Sequence, residues 1–275
     1  MLKDFLYKYN QCICKVYGVG QHKQIKLIRM NCVRTAELEV DSNYKSDGSI
    51  RCTVNESKLD ESIARTRSKI FELAFCNEWN WFFTATLDGT KYDRTDLDKF
   101  HKDLSQFIRN YNKRNELSIK WLLIPELHND GISWHMHGFL YDLPVEHLKR
   151  FEIGDRMGKA LADKVKRGDE VYNWVPYMMK FGFCDLEPIK NQEAISKYIT
   201  KYISKKLATS VTELNAHMYY HSRGLNTAEL IKKGYMPTPI DIQPKQIYHN
   251  DYCDIMWYNY DSQTLQLIEN AIMSV

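Results

Sequence analysis

The chain has 275 residues, a formal net charge of +3, 44% hydrophobic residues and 27% charged residues. These values are typical of a folded globular protein and exclude a chain that is mainly disordered. No apolar run approaches the ~20 residues of a membrane-spanning helix, and charges interrupt the apolar residues near the N-terminus, which argues against a secretory signal. We therefore expect a cytoplasmic protein with one large domain or two smaller ones.

The first part of the chain predicts a small β region over residues 1–55. Short β-like runs alternate there with glycines and polar turn residues, and the predicted strands are Ile13–Tyr17, Gln24–Met30 and Glu37–Val40. The seven cysteines of the chain include no CxxC pair. We therefore expect free thiols rather than a disulfide framework or a common zinc ribbon.

Residues 56–230 predict a larger domain in which helical and strand-like patterns alternate. The expected elements are helix Glu56–Phe75, strand Trp81–Leu87, a helix from Thr95, strands Ile119–Leu127 and Ser133–Tyr141, a helix from Pro144 to about Val165, strand Phe181–Pro188 and helix Glu193–Leu207. Because Asn129-Asp130-Gly131 is a strong hairpin signal, the two strands around it are expected to pair antiparallel. The expected fold class is α+β, with a central antiparallel sheet and helices on its faces.

The last part of the chain, residues 231–275, predicts a C-terminal extension. It is rich in tyrosine and carries several prolines, which is typical of a loop-like stretch. It ends in a predicted helix that is capped by Ser262 and has Leu265, Ile268 and Ile272 on one face.

A histidine pair lies on the second strand of the predicted hairpin, in Trp134-His135-Met136-His137-Gly138. Because side chains alternate across a strand, His135 and His137 project from one face, where two imidazoles can reach a single metal ion. The glycine that follows leaves room beside them. On the partner strand, Glu126 and His128 share parity, so the hairpin brings one or both beside the histidines. Such a ligand set leaves coordination positions open, which favours a catalytic divalent ion, with two surface histidines of no function as the alternative.

A duplicated Tyr-x-x-Lys pattern lies on the last predicted helix of this domain. At about 100° per residue, Tyr198 and Tyr202 share a face beside an apolar stripe, and Lys197, Lys201 and Lys205 form the adjoining row. A phosphate held by the lysines would therefore lie near the phenolic oxygens. Amphipathic tyrosines at the edge of the core are the alternative interpretation.

Together the two motifs predict a specific reaction. A phenol has an ordinary pKa of about 10, so as a nucleophile near neutral pH it needs an activated electrophile and a stabilised leaving oxygen. A divalent ion on the histidine pair and Glu126 would polarise a phosphodiester, and Lys201 or Lys205 would offset the charge of the transition state. The product would be a phosphotyrosine, from which a free 3′-hydroxyl can reseal the strand without ATP.

At these residues the chain resembles the HUH endonucleases, and most closely the rolling-circle replication initiators of small phages and bacterial plasmids. Three blocks are similar in the family's order: Phe82–Leu87, the stretch 125–138 with its histidine pair, and Tyr198–Lys205 with its two tyrosines. A further stretch, Tyr219–Leu225, resembles a segment that often follows the tyrosine helix in such initiators. The first block reads Phe-Thr-Ala-Thr where many relatives have Phe-Thr-Leu-Thr.

The resemblance implies an HUH-type antiparallel sheet and a Mg²⁺ or Mn²⁺ ion bound by the histidine pair and an acidic residue. By position, Glu126 would be the third ligand, with His128 as a substitute. It also implies an enzyme that nicks single-stranded origin DNA through a covalent 5′-phosphotyrosine link and rejoins the strands in rolling-circle replication. A conjugative relaxase or single-strand transposase, a metallohydrolase with an HxH pair, and a non-enzymatic single-stranded DNA-binding protein are the alternatives.

Basic and aromatic positions are candidates for DNA contact. Lys197 lies in the lysine row, and Tyr220 and Arg223 can stack on or grip the unpaired bases of an origin stem–loop. A second basic segment includes Arg67 and Lys69. The sequence has no G-x-x-x-x-G-K-[ST] motif of a P-loop motor, so we expect a host helicase and polymerase as further partners.

Overall fold

The structure is a computed structural model that describes residues 5–7, 9–31, 34–35, 56–204, 207–208, 210, 217–250 and 253–274. The chain forms two compact units, one made of residues 1–54 and 227–275 and the other of residues 55–226. The first and last segments, expected as separate regions, thus belong to one unit. No helix within the described ranges is long and apolar enough to cross a membrane.

Strands and helices alternate along the described chain. The strands are β1 (Phe5–Tyr7), β2 (Gln11–Tyr17), β3 (Gln24–Met30), β4 (Arg34–Thr35), β5 (Trp81–Thr86), β6 (Lys120–Leu127), β7 (Trp134–Tyr141), β8 (Lys149–Arg150), β9 (Tyr172–Asn173), β10 (Cys184–Pro188), β11 (Tyr220–His221), β12 (Glu229–Tyr235), β13 (Gln246–His249) and β14 (Cys253–Asn259). The helices are α1 (Glu56–Phe75), α2 (Leu97–Asn115), α3 (Lys159–Lys166), α4 (Val175–Lys180), α5 (Gln192–Tyr198) and α6 (Ser262–Ala271), with 3₁₀ turns at Val145–His147 and Ile199–Tyr202.

The larger unit is built on an antiparallel sheet with strand order β11-β6-β7-β5-β10-β9-β8. β6 and β7 pair over their whole length as the expected hairpin, and β5 pairs with β7 on its other side. Burial alternates along β5 because successive side chains point to opposite faces. The expected fold class is confirmed, since this α+β unit carries the histidine pair on a central antiparallel strand.

The hairpin turn forms through the residues that predicted it. The Asp130 carboxylate accepts hydrogen bonds from the backbone N–H groups of Ile132 and Ser133 at 3.0 and 2.9 Å. Gly131 adopts a φ of +75°, which a residue without a side chain reaches at little cost. Both features fix the register of β6 against β7.

Helices cover both faces of this sheet. On one face, Phe107 of α2 packs against Tyr177 of α4, and Tyr177 packs against Phe83 of β5. On the other face, Trp79, just after α1, contacts Phe139 of β7. α1 also packs against α5 and the 3₁₀ turn that follows it, so the predicted tyrosine helix lies on the same face as Phe139.

The smaller unit contains a second antiparallel sheet, with strand order β12-β2-β3-β14-β13. Ile25 and Leu27 of β3 and Ile268 of α6 are buried in its core. β12 and β14 fall in the stretch that was expected to be loop-like, but their tyrosines and tryptophan fit a pleated surface beside β2 and β3. The last helix is present as expected, although its cap is Asp261, which accepts a hydrogen bond from Thr264 N at 2.7 Å.

One predicted helix is wrong. The segment from Pro144 to Val165 forms a 3₁₀ turn and the short strand β8, and the helix α3 begins only at Lys159. Gly154 has a φ of +105°, which no α-helix accommodates, and β8 pairs with β9 instead. The strand predicted at Glu37–Val40 lies outside the described residues.

Candidate metal and tyrosine site

Glu126, His135 and His137 form a compact group of metal-ligand atoms on one face of the larger sheet. The Oε2 atom of Glu126 lies 3.0 Å from Nε2 of His135 and 3.0 Å from Nε2 of His137. One ligand atom from each residue lies within 4.8 Å of the other two. Two imidazole nitrogens and a carboxylate oxygen suit a divalent ion and leave coordination positions open.

The antiparallel register brings these three side chains together. His135 lies opposite Glu126 of β6, and His137 lies opposite Thr84 of β5. Cross-strand partners share a face, and residues two apart on one strand share it as well. The alternation along β7 therefore places both imidazoles beside the carboxylate of the neighbouring strand.

Gly138 has a different role from the expected one, which was to leave room beside the histidines. A Cβ atom at this position would overlap the carbonyl oxygen of Leu122 and lie 2.8 Å from the Cα of Leu123. The glycine therefore allows the backbones of β6 and β7 to approach each other, on the face opposite the histidine pair.

Both histidines use their second ring nitrogen for a contact away from Glu126. Nδ1 of His135 lies 3.0 Å from Nε2 of His128, and Nδ1 of His137 lies 3.4 Å from Oγ1 of Thr84. The ligand group therefore contains Glu126 and not His128, which contacts His135 from the other side. Such outer contacts orient metal-binding imidazoles in proteins.

The electrostatics of this group favour a bound cation. Hydrogen bonds from His135 and His137 lower the pKa of the Glu126 carboxyl to about 2. Burial lowers the pKa of His137, although the Glu126 carboxylate acts in the opposite direction. At neutral pH the carboxylate is therefore charged and the His137 imidazole is neutral, which are the protonation states that metal binding requires.

The two tyrosines lie directly beside the histidine pair. The Tyr202 ring stacks on the His137 ring, with 4.5 Å between centroids, and the Tyr198 ring meets Phe82 edge to face at 5.8 Å. The Tyr202 hydroxyl donates a hydrogen bond to the Tyr198 hydroxyl at 3.3 Å. The shared face that the spacing predicted is present, and it faces the candidate metal ligands.

The segment that carries the tyrosines is not one continuous helix as expected. α5 ends at Tyr198, a 3₁₀ turn covers Ile199–Tyr202, and Ile203 is extended, with φ −81° and ψ 100°. The carbonyl oxygen of Ile203 accepts two hydrogen bonds from the Arg67 guanidinium of α1, at 3.0 and 2.6 Å. Arg67, a candidate DNA contact from the sequence, thus holds the end of the tyrosine segment.

Two further contacts fix the start of the tyrosine segment. Gln192 donates hydrogen bonds to the carbonyl oxygens of Ala74 and Asn77 at 2.9 and 2.8 Å. The Asn191 side chain caps α5 by accepting from Ala194 N at 2.9 Å. The segment is therefore tied to the end of α1 at its start and to Arg67 at its end.

Lys201 distinguishes the two phenols. Its Nζ lies 3.5 Å from the centroid of the Tyr198 ring and 5.0 Å from that of Tyr202. Burial acts to raise the pKa of Tyr198, but hydrogen bonds from Lys201 and Tyr202 and the nearby ammonium charge outweigh it, so that this pKa falls below its ordinary value. Burial, the hydrogen bond with Tyr198 and the negative charge of Glu126 raise the pKa of Tyr202.

A groove of about 410 Å³ adjoins the exposed side of Tyr198. Phe82 and Ile195 contribute apolar lining, and Lys164 and Lys190 lie at its margin. Lys164 forms an ion pair with Glu187 at 2.7 Å. The groove therefore leads away from the tyrosines with an apolar lining and basic groups, which suits a strand of nucleotides.

The other candidate residues are distributed differently. Lys197 is exposed one turn before Lys201 and pairs with Glu193 at 2.9 Å. Arg223 is exposed in a turn where Lys120 bonds to the neighbouring Gly224, at the opposite end of β6 from Glu126 and about 20 Å from it at about 3.3 Å per residue. The structure does not bring Arg223 to the candidate site.

Tyr220 lies in the hydrophobic core and not on an open surface. Its side chain is 7% exposed, and its ring stacks on His101 with 3.9 Å between centroids. We therefore exclude Tyr220 from the candidate DNA surface. Lys205 lies outside the described residues.

Several residues that surround the group were not predicted from the sequence. Thr84, Asp185 and Phe82 all lie on the same face as His137, on β5 and β10. Alternation along β5 could have selected Thr84 and Phe82, but the register between strands far apart in sequence has no local signal. Asp185 therefore joins the site only through tertiary pairing.

The comparisons with known proteins point to one family. Residues 80–207 match a family model of replication-associated proteins, the ORF2 type. The matched segment begins just before β5 and ends after the tyrosine segment, so it contains the whole candidate site. No curated protein and no solved structure matches the chain significantly. The match supports a replication-associated function and binding to DNA.

Proposed function

We propose that the protein nicks single-stranded DNA at a replication origin by tyrosine transesterification and later rejoins the strands. The observation that carries this proposal is the contact between two groups of residues: the Tyr202 ring stacks on His137, a member of the candidate metal group. A single scissile phosphate can then reach both a metal ion and a phenolic oxygen. The match to the ORF2-type replication-associated family supports the same function.

A Mg²⁺ or Mn²⁺ ion would be held by Glu126, His135 and His137. The donor set fits such an ion, since it combines a charged carboxylate with two imidazole nitrogens and leaves positions for phosphate oxygens. When bound, the ion supplies Lewis-acid polarisation of the phosphodiester.

Tyr198 is the better placed first nucleophile. Its side chain is 42% exposed, it lines the groove, and the Lys201 ammonium stabilises its phenolate form. In the reaction its oxygen bonds to phosphorus and the bond from phosphorus to the 3′ oxygen breaks. The phenolic proton leaves to solvent, and the departing 3′ oxygen takes up a proton, which gives a 5′-phosphotyrosine and a free 3′-hydroxyl.

Tyr202 would act in the second transfer. Its hydroxyl lies 3.3 Å from that of Tyr198, so a second strand can be cleaved while the first remains attached. A free 3′-hydroxyl that attacks the phosphotyrosine then forms a new phosphodiester and releases the phenol, since the ester keeps the bond energy. This sequence of transfers rejoins the strands without a nucleotide cofactor.

The DNA would enter through the groove beside Tyr198. Lys164, Lys190, Lys197 and Lys201 supply positive charge near that path, and Phe82 supplies an aromatic surface. The proposed substrate is a single-stranded stem–loop at an origin. A host helicase and polymerase would supply unwinding and synthesis, since the sequence has no P-loop motor motif.

The covalent product gives a direct test. Purified protein is mixed with an end-labelled single-stranded stem–loop oligonucleotide and Mn²⁺, and the products are separated in SDS. We expect a labelled protein band that EDTA prevents. The Tyr198→Phe, Tyr202→Phe double variant and the His135→Ala, His137→Ala double variant should both lack it.

The outcomes separate the alternatives. A labelled band from the double tyrosine variant would refute the nucleophile assignment, and a band that persists in EDTA would refute the metal site. DNA binding without any covalent product over a set of origin sequences would favour a non-enzymatic single-stranded DNA-binding protein.

A further inference from the structure

A row of polar side chains crosses three neighbouring strands and ends at a candidate metal ligand. Asp185 of β10 lies opposite Thr84 of β5, and Thr84 lies opposite His137 of β7. Because cross-strand partners share a face, all three side chains project on the side of the sheet that carries the tyrosines. The row thus runs sideways into the metal group from outside it.

Hydrogen bonds connect the members of this row. The Thr84 hydroxyl bonds to the Asp185 carboxyl. Oγ1 of Thr84 also lies 3.4 Å from Nδ1 of His137. A hydroxyl donates one hydrogen bond and accepts another, so Thr84 can accept from Nδ1–H of His137 and donate to Asp185 at the same time.

The direction of this relay matches what a metal ligand needs. Nε2 of His137 faces Glu126 at 3.0 Å, on the side where the ion would lie. An imidazole that binds through Nε2 must carry its proton on Nδ1, and an acceptor at Nδ1 fixes that tautomer and the angle of the ring. The Asp185 carboxylate, through Thr84, supplies that acceptor.

We propose that Thr84 and Asp185 are positioning residues for the metal site, and that their relay holds His137 with Nε2 toward the ion. This inference rests on the proposed metal site of the nicking function. It adds two residues on strands outside the histidine hairpin, and neither of them touches the ion.

The surroundings of Asp185 argue for such a role. The carboxyl is partly buried beside a second carboxylate, Glu187, and the nearest ammonium group, that of Lys164, pairs with Glu187 at 2.7 Å. Burial and Glu187 raise the pKa of Asp185 to about 6. The carboxylate therefore costs stability where it lies, which is common for residues kept for function.

The test measures metal binding and the His137 tautomer without DNA. Mn²⁺ affinity is determined by calorimetry for wild type, Thr84→Val, Thr84→Ser and Asp185→Asn. Long-range ¹H–¹⁵N spectra of the Mg²⁺-loaded proteins report whether Nδ1 of His137 carries a hydrogen-bonded proton. We expect Thr84→Val to weaken Mn²⁺ binding by about 10- to 100-fold and to lose that proton signal.

Two comparisons separate positioning from a merely structural effect. Thr84→Ser restores the hydroxyl and should bind Mn²⁺ nearly as wild type, and Asp185→Asn should weaken it by about 10-fold. Thr86→Val is the matched control on the same face of β5, because the neighbouring His135 already bonds to His128 through Nδ1. This control should keep wild-type affinity.

Each result has a defined meaning. If wild type binds Mn²⁺ but Thr84→Val and Asp185→Asn bind it within about threefold and keep the Nδ1 proton signal, the relay is refuted and the nicking function stands. If wild type itself binds neither ion, the metal site of the proposed function fails. If Thr84→Val does not fold, Asp185→Asn and the serine variant decide the question.

Discussion

The phenol ring of Tyr202 lies nearly parallel to the imidazole ring of His137, with 4.5 Å between their centroids and 17° between their planes. Tyr198, four residues earlier, contacts Phe82 and keeps 42% of its side chain exposed. One phenol is therefore packed on a candidate metal ligand and the other is open to a substrate. This asymmetry predicts different roles for the two tyrosines.

The single tyrosine variants should affect different steps. We expect Tyr198→Phe to reduce the first cleavage of a single-stranded stem–loop by about 1,000-fold or more, because the variant removes the attacking oxygen. Tyr202→Phe should form the first adduct within about threefold of wild type but lose strand rejoining. Time courses on denaturing gels measure both steps, and a reversed pattern would assign the first cleavage to Tyr202.

Lys201 should set the pH dependence of adduct formation. Its ammonium helps to keep the pKa of Tyr198 below the ordinary value, so the phenolate is available at lower pH. Replacement by Lys201→Met should raise that pKa, shift the pH profile of the first cleavage upward and slow the reaction about tenfold near pH 7.5.

Lys197→Met is the comparison for this prediction. Lys197 lies on the same segment but pairs with Glu193 at the surface. This variant should weaken DNA binding and leave the pH profile where it is. An unchanged profile for Lys201→Met would show that the ammonium does not act on the phenol.

Filling the groove beside Tyr198 should block DNA and leave the metal site intact. Ala194 lines the groove, and an indole at this position would occupy part of its volume of about 410 Å³. We expect Ala194→Trp to weaken binding of a fluorescent oligothymidylate of about 20 nucleotides at least about tenfold, with Mn²⁺ affinity unchanged.

The matched variant is Ala160→Trp. Ala160 is exposed on α3 and is not among the residues that line the groove. It should bind the same oligonucleotide as wild type does. Equal anisotropy titrations for the two tryptophan variants would place the DNA path elsewhere.

Asp185→Asn should change stability in a pH-dependent direction. The pKa of Asp185 is raised to about 6 in the folded protein, mainly by burial and by Glu187, against the ordinary value of about 3.9 for an unfolded chain. The protonated carboxyl thus favours folding at low pH, and that contribution is lost as the pH rises through about 6. Lys164, Thr84 and Tyr202 also face this carboxyl.

The metal-free Asp185→Asn variant should therefore unfold at a higher temperature than wild type at pH 8 and at nearly the same temperature at pH 4. Differential scanning calorimetry at the two pH values measures the change. A lower unfolding temperature at pH 8 would mean that the carboxylate stabilises the sheet, contrary to the sign derived from its surroundings.

Gly138→Ala should destabilise the hairpin that carries the metal ligands. The added methyl group would overlap the Leu122 carbonyl, so we expect the free energy of unfolding to fall by about 1–3 kcal/mol in urea titrations. Gly158→Ala is the control, since a Cβ there meets no atom within 4 Å, and it should change stability by less than about 0.5 kcal/mol. Equal stabilities would refute the close-approach role of Gly138.

Local sequence patterns determined the hairpin, the alternation that puts His135 and His137 on one face, and the helical spacing that puts Tyr198 and Tyr202 together. These features depend on residues a few positions apart, on turn chemistry at Asp130 and Gly131, and on the periods of strands and helices. The α+β class followed from the same signals.

Only the tertiary structure decided which distant elements meet. The pairing of β10 with β5, which brings Asp185 to Thr84 and thus to His137, joins strands about 100 residues apart. Arg67, predicted as a DNA contact, bonds to the Ile203 carbonyl, and Tyr220, predicted to stack on bases, is buried against His101. Backbone register and packing between remote segments have no local periodicity, because burial and hydrogen bonding across the whole unit select them.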